Sequence, residues 1–233
     1  MNRTHRVRRA LCILLAVLIF SASGFIFYVS DVYPADAAAQ AVLDTPGVQA
    51  EEGLITLLPE ETSDTAILFY PGAKVEATAY LPLLDQLRDE GFICFLVPMP
   101  FNMAIFDSDA ATEVIDAHPE ITHWYLAGHS MGGAMASSYA AGHPVTTSGL
   151  ILLGAYLYGD YPTDRTLTIY GSLNESVAEK IDYSENVVVI EGGNHAQFGN
   201  YGPQKGDAPA KISASEQQAQ SVRAITDFIH SFG

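Results

Sequence analysis

Gly128-His129-Ser130-Met131-Gly132 is the stretch on which the reading of this chain turns. It fits G-x-S-x-G, and its surroundings say more than the pattern does. The apolar run Trp124–Ala127 precedes it, and the small-residue run Gly133-Ala134-Met135-Ala136 follows. A strand, a sharp turn and a helix in that order hold a serine on an exposed bend. The flanking glycines let the strained turn form and keep neighbouring backbone away. The start of the following helix then points its dipole and a free amide at a developing oxyanion. Ser130 is therefore the candidate nucleophile.

Outward from this stretch, short apolar runs alternate with helical patterns. Strands are expected at Leu54–Leu58, Ala66–Tyr70, Phe92–Val97, Trp124–Ala127, Leu150–Leu153, Leu167–Tyr170 and Val187–Ile190. Thr78–Glu90 carries Tyr80, Leu83, Leu84 and Leu87 on one helix face, and Gly91 stops it. Asp109–Ala117 and Met131–Ala141 read as further helices. Ser213 and Glu216 have capping-box spacing ahead of Val222, Ile225, Phe228 and Ile229, which marks a long final helix. Apolar strands alternating with helices imply a parallel sheet covered on both faces.

A serine at neutral pH needs a base. His195, in Glu191-Gly192-Gly193-Asn194-His195, lies just past the last strand, where the chain order serine, acid, histidine puts it. The other histidines fit less well. His5 precedes the apolar N-terminal run, His118 and His143 adjoin prolines, and His230 is on the final helix. His123 is at the wrong end of the strand before the motif, and His129 is the motif's variable position.

Three stretches now carry a family resemblance: Leu68–Val75 (LFYPGAKV), Gly128–Gly133 (GHSMGG) and Glu191–Gly199 (EGGNHAQFG). With Ala79–Leu83 and Pro98-Met99-Pro100, they make the chain from about residue 54 onward resemble small dienelactone-hydrolase-like members of the α/β-hydrolase fold family, often found with an N-terminal membrane segment. The resemblance implies a mostly parallel sheet with helices on both faces, and the short connection between the Leu150–Leu153 and Leu167–Tyr170 strands leaves no room for a large lid. The resemblance also implies an oxyanion hole made by the N–H groups of Ala73 and Met131. In the family the loop after the penultimate strand reads Gly-Ser-x-Asp, whereas here it is Gly171-Ser172-Leu173-Asn174-Glu175. Either Glu175 takes over as the acid, or Asn174 orients His195 without supplying charge, or the site is impaired. Glu175 is the favoured reading, with Asp182 and Glu191 as remoter options. Lys74 follows the proposed oxyanion loop and is either a contact for an anionic substrate group or an exposed turn lysine. Phe101, Phe106, Phe198 and Tyr201 are candidates for an acyl pocket, although aromatic residues near a core more often simply pack.

Composition bounds the alternatives. Apolar residues make up 48% of the 233 and charged residues 16%, a globular balance in a chain of single-domain size. Formal net charge is −16, with Arg3, Arg6, Arg8 and Arg9 gathered at the start. The remainder sets seven basic against 27 acidic residues, a net of −20 that repels phosphate backbones and argues against nucleic acid as a partner. Cys12 and Cys94 do not suggest a disulfide, and no spacing suggests a metal site. Serine acyl chemistry calls for no cofactor.

Behind the arginines, Ala10–Ser30 runs without a charge for roughly 32 Å of helix, enough to cross a bilayer core. The arginines orient it with the rest of the chain outside the cytoplasm. An uncleaved anchor is favoured over a signal peptide, for which Ala35–Ala41 offers small residues. The expected organisation is residues 1–31 as basic N-terminus and anchor or signal peptide, 32–49 as linker or short helix, and 50–233 as hydrolase domain. The expected activity is hydrolysis of a small or surface-presented ester through a Ser-His-acid triad and an acyl-enzyme. An acyltransferase using the same intermediate and a non-catalytic surface binding module are the alternatives.

Overall fold

The structure, a computed structural model, describes residues 3–232. The described chain divides into two compact units, one ending at Val32 and the other beginning at Tyr33. The first is a single helix, α1 (Arg3–Ser30). Its segment Leu11–Ser30 is long and apolar enough to cross a membrane, with mean hydropathy 2.5, and a signal sequence passes the same test.

The second unit runs through α2 (Ala37–Ala41), β1 (Val48–Glu51), β2 (Leu54–Leu57), β3 (Thr65–Tyr70), α3 (Leu81–Asp89) and β4 (Ile93–Leu96). It continues through α4 (Ala111–Ala117), β5 (His123–His129), α5 (Met131–Gly142), β6 (Thr147–Leu153) and β7 (Thr166–Gly171), and ends with α6 (Glu175–Ala178), β8 (Val187–Ile190) and α7 (Ala214–His230). The strands form one eight-stranded sheet in the order β1-β2-β4-β3-β5-β6-β7-β8. β1, β2 and β4 pair antiparallel, and every pairing from β4 through β3 to β8 is parallel.

The alternation of strand side chains explains why helices cover both faces. On β3, Ile67 and Phe69 join a core with Leu83, Leu84 and Leu87 of α3 and Val222, Ile225 and Phe228 of α7. Ala66, Leu68 and Tyr70 point the other way, into a core with Val114 of α4 and Ala136 and Tyr139 of α5. One expected element takes a different form. The helix expected from Thr78 begins as a 3-10 turn, Ala77–Tyr80, and becomes α-helical at Leu81, with Pro82 in the first turn where its missing N–H costs nothing. The 32–49 stretch contains α2, capped by Asp36 accepting from Ala39 N–H at 2.8 Å, and its Ala39 and Val42 are buried in the body. β1 has no alternating apolar pattern, which is why the sequence does not announce it.

All parallel strands end at one edge of the sheet. The turns after β3, β5, β7 and β8 carry Ala73, Ser130, Asn174 and His195 respectively, so a single edge gathers the candidate residues.

Candidate active site

Ser130 links β5 to α5 with φ 53° and ψ −121°, a left-handed backbone that side-chain-bearing residues seldom adopt. Two glycines make the bend possible. A Cβ on Gly132 would overlap the carbonyls of Tyr70 and Pro71, and one on Gly128 would collide with the backbone of Gly132 and Gly133. The bend is thereby pressed against the turn after β3. Met131 opens α5, so its N–H has no partner within the helix. Ala73 N–H donates no hydrogen bond among the described residues.

His195 follows β8 on a loop held from two sides. Gln217 of α7 accepts from Asn194 N–H at 3.0 Å and donates to the Asn194 carbonyl at 2.9 Å. Asp207 accepts from the N–H groups of His195 and Ala196 at 3.1 and 2.8 Å. The His195 ring is partly buried, which lowers its pKa from the ordinary histidine value, while the Asp207 carboxylate pulls it partly back up.

Asn174, 5% exposed, lies 2.8 Å from His195 Nδ1 through its side-chain amide. Ser176 Oγ is 3.0 Å from Asn174 Oδ1. With the amide nitrogen toward the ring, Nδ1 accepts and the proton sits on Nε2. With the amide turned over, Oδ1 accepts from Nδ1–H and the Nε2 lone pair is left for a substrate proton. The Ser176 hydroxyl donates or accepts, so it is satisfied either way. Glu175 begins α6 with its side chain exposed, and the bond to the ring comes from its neighbour Asn174.

Ser130, Met131, Asn174 and His195 line one open cleft of about 550 Å³. Ala155, Tyr156 and Val177 form an apolar part of its wall, and Gln204, Lys205 and Asp207 a polar part. No hydrogen bond joins Ser130 Oγ to His195 among the described residues, and in unliganded sites such bonds often tighten only with substrate. Ala73 and Lys74 do not line the cleft. Lys74 sits in the turn after β3 at φ 61°, its N–H donating to the Asn102 carbonyl at 2.7 Å. Phe198 and Tyr201 are core residues, and Phe101 and Phe106 pack edge to face at the surface. Asp182 and Glu191 do not line the cleft either. Sequence reasoning did not single out Asp207 or Lys205. Nothing marks the Gly202–Ala210 loop except its place after the histidine.

His129 is buried, 1% exposed, and lies under the site with its ring centroid 4.6 Å from that of His195. Its Nε2 is 3.0 Å from the His195 carbonyl, and its Nδ1 is 2.7 Å from the Tyr80 hydroxyl. Burial holds its pKa well below the usual value, and the neighbouring His195 lowers it further.

A parallel sheet with a serine on a left-handed bend after an inner strand, and a histidine loop at the same edge, is the arrangement of the α/β hydrolases. The chain belongs to the alpha/beta hydrolase family, whose sequence profile matches residues 66–219. A protein of Mycobacterium phage D29, provisionally named a non-heme haloperoxidase, is 27% identical over 139 residues. That match takes in 54% of this chain and only 49% of the phage protein, so the chain covers about half the length of that relative. Among solved structures, a hormone-sensitive lipase from a metagenome library superposes with TM-score 0.55 at 15% identity, over 84% of this chain and 91% of the lipase. The dienelactone hydrolase of Anabaena variabilis is also a structural neighbour, with TM-score 0.47 at 16% identity over 76% of this chain and 88% of that one.

Proposed function

We propose that this protein is a serine hydrolase of ester-type acyl bonds. The observation that carries the reading is Ser130, strained at a left-handed bend, sharing a cleft with a histidine whose Nδ1 is already engaged. Ser130 Oγ attacks the acyl carbon while His195 Nε2 takes its proton, and the Met131 and Ala73 N–H groups hold the oxyanion. Collapse expels the alcohol, which receives the proton from His195. A water, deprotonated by His195, then attacks the acyl-enzyme; the C–Oγ bond breaks, Ser130 Oγ takes the proton back from His195, and the acid leaves. Asn174 orients the ring in the tautomer with Nδ1–H bonded to Oδ1, and it supplies no charge.

The cleft is open and partly apolar, which suits a small or surface-presented ester. The N-terminal segment anchors the chain in a membrane with the catalytic unit outside the cytoplasm. The test is turnover of p-nitrophenyl acetate by the purified chain and by its Ser130→Ala and His195→Ala variants. Hydrolysis lost in both supports the proposal. Hydrolysis equal in parent and Ser130→Ala removes it.

A further inference from the structure

Tyr80, His129 and two backbone groups form a chain of hydrogen bonds whose donors and acceptors can all be assigned. The His195 carbonyl can only accept, so His129 Nε2 carries a proton and donates to it at 3.0 Å. His129 is held neutral by burial, which leaves Nδ1 bare and accepting. Its partner at 2.7 Å is the Tyr80 hydroxyl, which therefore donates. The same hydroxyl oxygen accepts from Gly72 N–H at 3.0 Å. Burial also pushes the Tyr80 pKa far upward, so the phenol keeps the proton it must give.

The ends of this chain matter as much as its interior. Gly72 N–H belongs to the turn that bears Ala73, the proposed oxyanion donor. The His195 carbonyl belongs to the proposed base itself. His129, between them, is bonded directly to Ser130 in sequence. Space around the chain is tight: a Cβ on Gly72 would lie 2.7 Å from both His129 Nδ1 and the Tyr80 hydroxyl.

We propose that Tyr80 and His129 are positioning residues that tie the oxyanion turn to the base loop, so that one buried relay sets the spacing of both halves of the active site. This rests on the serine-hydrolase reading for its kinetic consequences, and on the hydrogen-bond geometry and burial of His129 for its tautomer. Protonating His129 would leave the Tyr80 hydroxyl proton without this acceptor and set a charge beside the ring of His195. Neutrality is therefore part of the relay.

The experiment uses the full-length chain in detergent with three variants: Tyr80→Phe, His129→Leu and His129→Gln. Glutamine can still accept from Tyr80 and donate to the His195 carbonyl, whereas leucine can do neither. Misplacing reacting groups by about 1 Å costs up to about a hundredfold. Tyr80→Phe and His129→Leu are expected to lower kcat for p-nitrophenyl acetate by about ten- to a hundredfold with KM within about twofold. His129→Gln is expected to stay within about threefold of the parent in kcat. Parental kcat in Tyr80→Phe, or His129→Gln falling as far as His129→Leu, would overturn the relay. If His129→Leu does not fold, Tyr80→Phe decides, since it removes one oxygen and leaves no cavity.

Long-range nitrogen NMR of His129 tests the relay even if the parent shows no turnover. The Nε2–H tautomer in the parent, giving way to a mixture in Tyr80→Phe, supports it. The Nδ1–H tautomer in the parent overturns it. An inactive parent with the Nε2–H tautomer would sink the hydrolase reading and leave the hydrogen-bonded relay standing.

Discussion

Replacing Asn174 by Asp tests the electrostatics of the site. The amide lies 2.8 Å from His195 Nδ1 in a position only 5% exposed. In the proposed mechanism Asn174 orients the ring but gives no charge to the imidazolium that forms during acyl transfer. A carboxylate there would sit roughly 4 Å from the centre of that cation, worth about 4 kcal/mol at an effective dielectric of about 20. Ionising a carboxyl in so buried a place takes part of this back. A net gain of about 3 kcal/mol corresponds to roughly a hundredfold in kcat. The ceiling is the roughly ten-thousandfold loss seen when the triad aspartate of a serine protease becomes asparagine. The carboxylate is also an acceptor only, so it fixes the proton on Nδ1 and frees Nε2. The assay is kcat and KM for p-nitrophenyl acetate together with the acid limb of kcat/KM. We expect kcat to rise about a hundredfold with KM within about twofold, and the acid limb to move to higher pH because the anion stabilises the protonated ring. An unchanged rate with an unmoved limb would refute the claim that the missing charge at residue 174 limits the reaction.

Other consequences follow from the same geometry. Burial lowers the His195 pKa, so the acid limb of kcat/KM should fall below the ordinary histidine value. Asp207→Asn, which removes the charge opposing that shift, should move it lower still. His129 is buried neutral, so the unfolded chain binds more protons below about pH 6.5 and stability should fall as pH drops through that window. Melting curves of His129→Gln should show a shallower loss over the same range. Gly132→Ala would force a Cβ into the Tyr70 and Pro71 carbonyls and should destabilise the body by about 1–3 kcal/mol in urea titration. Leu84→Ala, emptying a fully buried site between α3 and the sheet, should cost about 2–5 kcal/mol by the same measurement.

The bend at Ser130 was legible because what shapes it is local. Glycines at 128 and 132, an apolar strand before and a small-residue helix after all bear on one bend. The parallel strands were legible because burial on both faces leaves continuous apolar runs such as Ala66–Tyr70. The antiparallel β1 was not, since a mostly exposed edge strand needs no such pattern. The partner of His195 was ambiguous for a different reason. Asn174 and Glu175 are one residue apart, and only the cap of a four-residue helix turns one inward and the other out. Tyr80 reads as one more apolar position on a helix face, and His129 as the variable residue of a motif. Their joint role depends on a hydrogen bond between residues 49 apart in sequence. The loop that brings Asp207 to the His195 backbone carries no periodicity at all.

Ser130 as the nucleophile is the central claim. Reacting the full-length chain with a fluorophosphonate and mapping the adduct by peptide mass spectrometry tests it. The prediction is one adduct, on Ser130, whose formation slows sharply in His195→Ala. An adduct on another residue, or no adduct on the folded parent, would contradict the central claim.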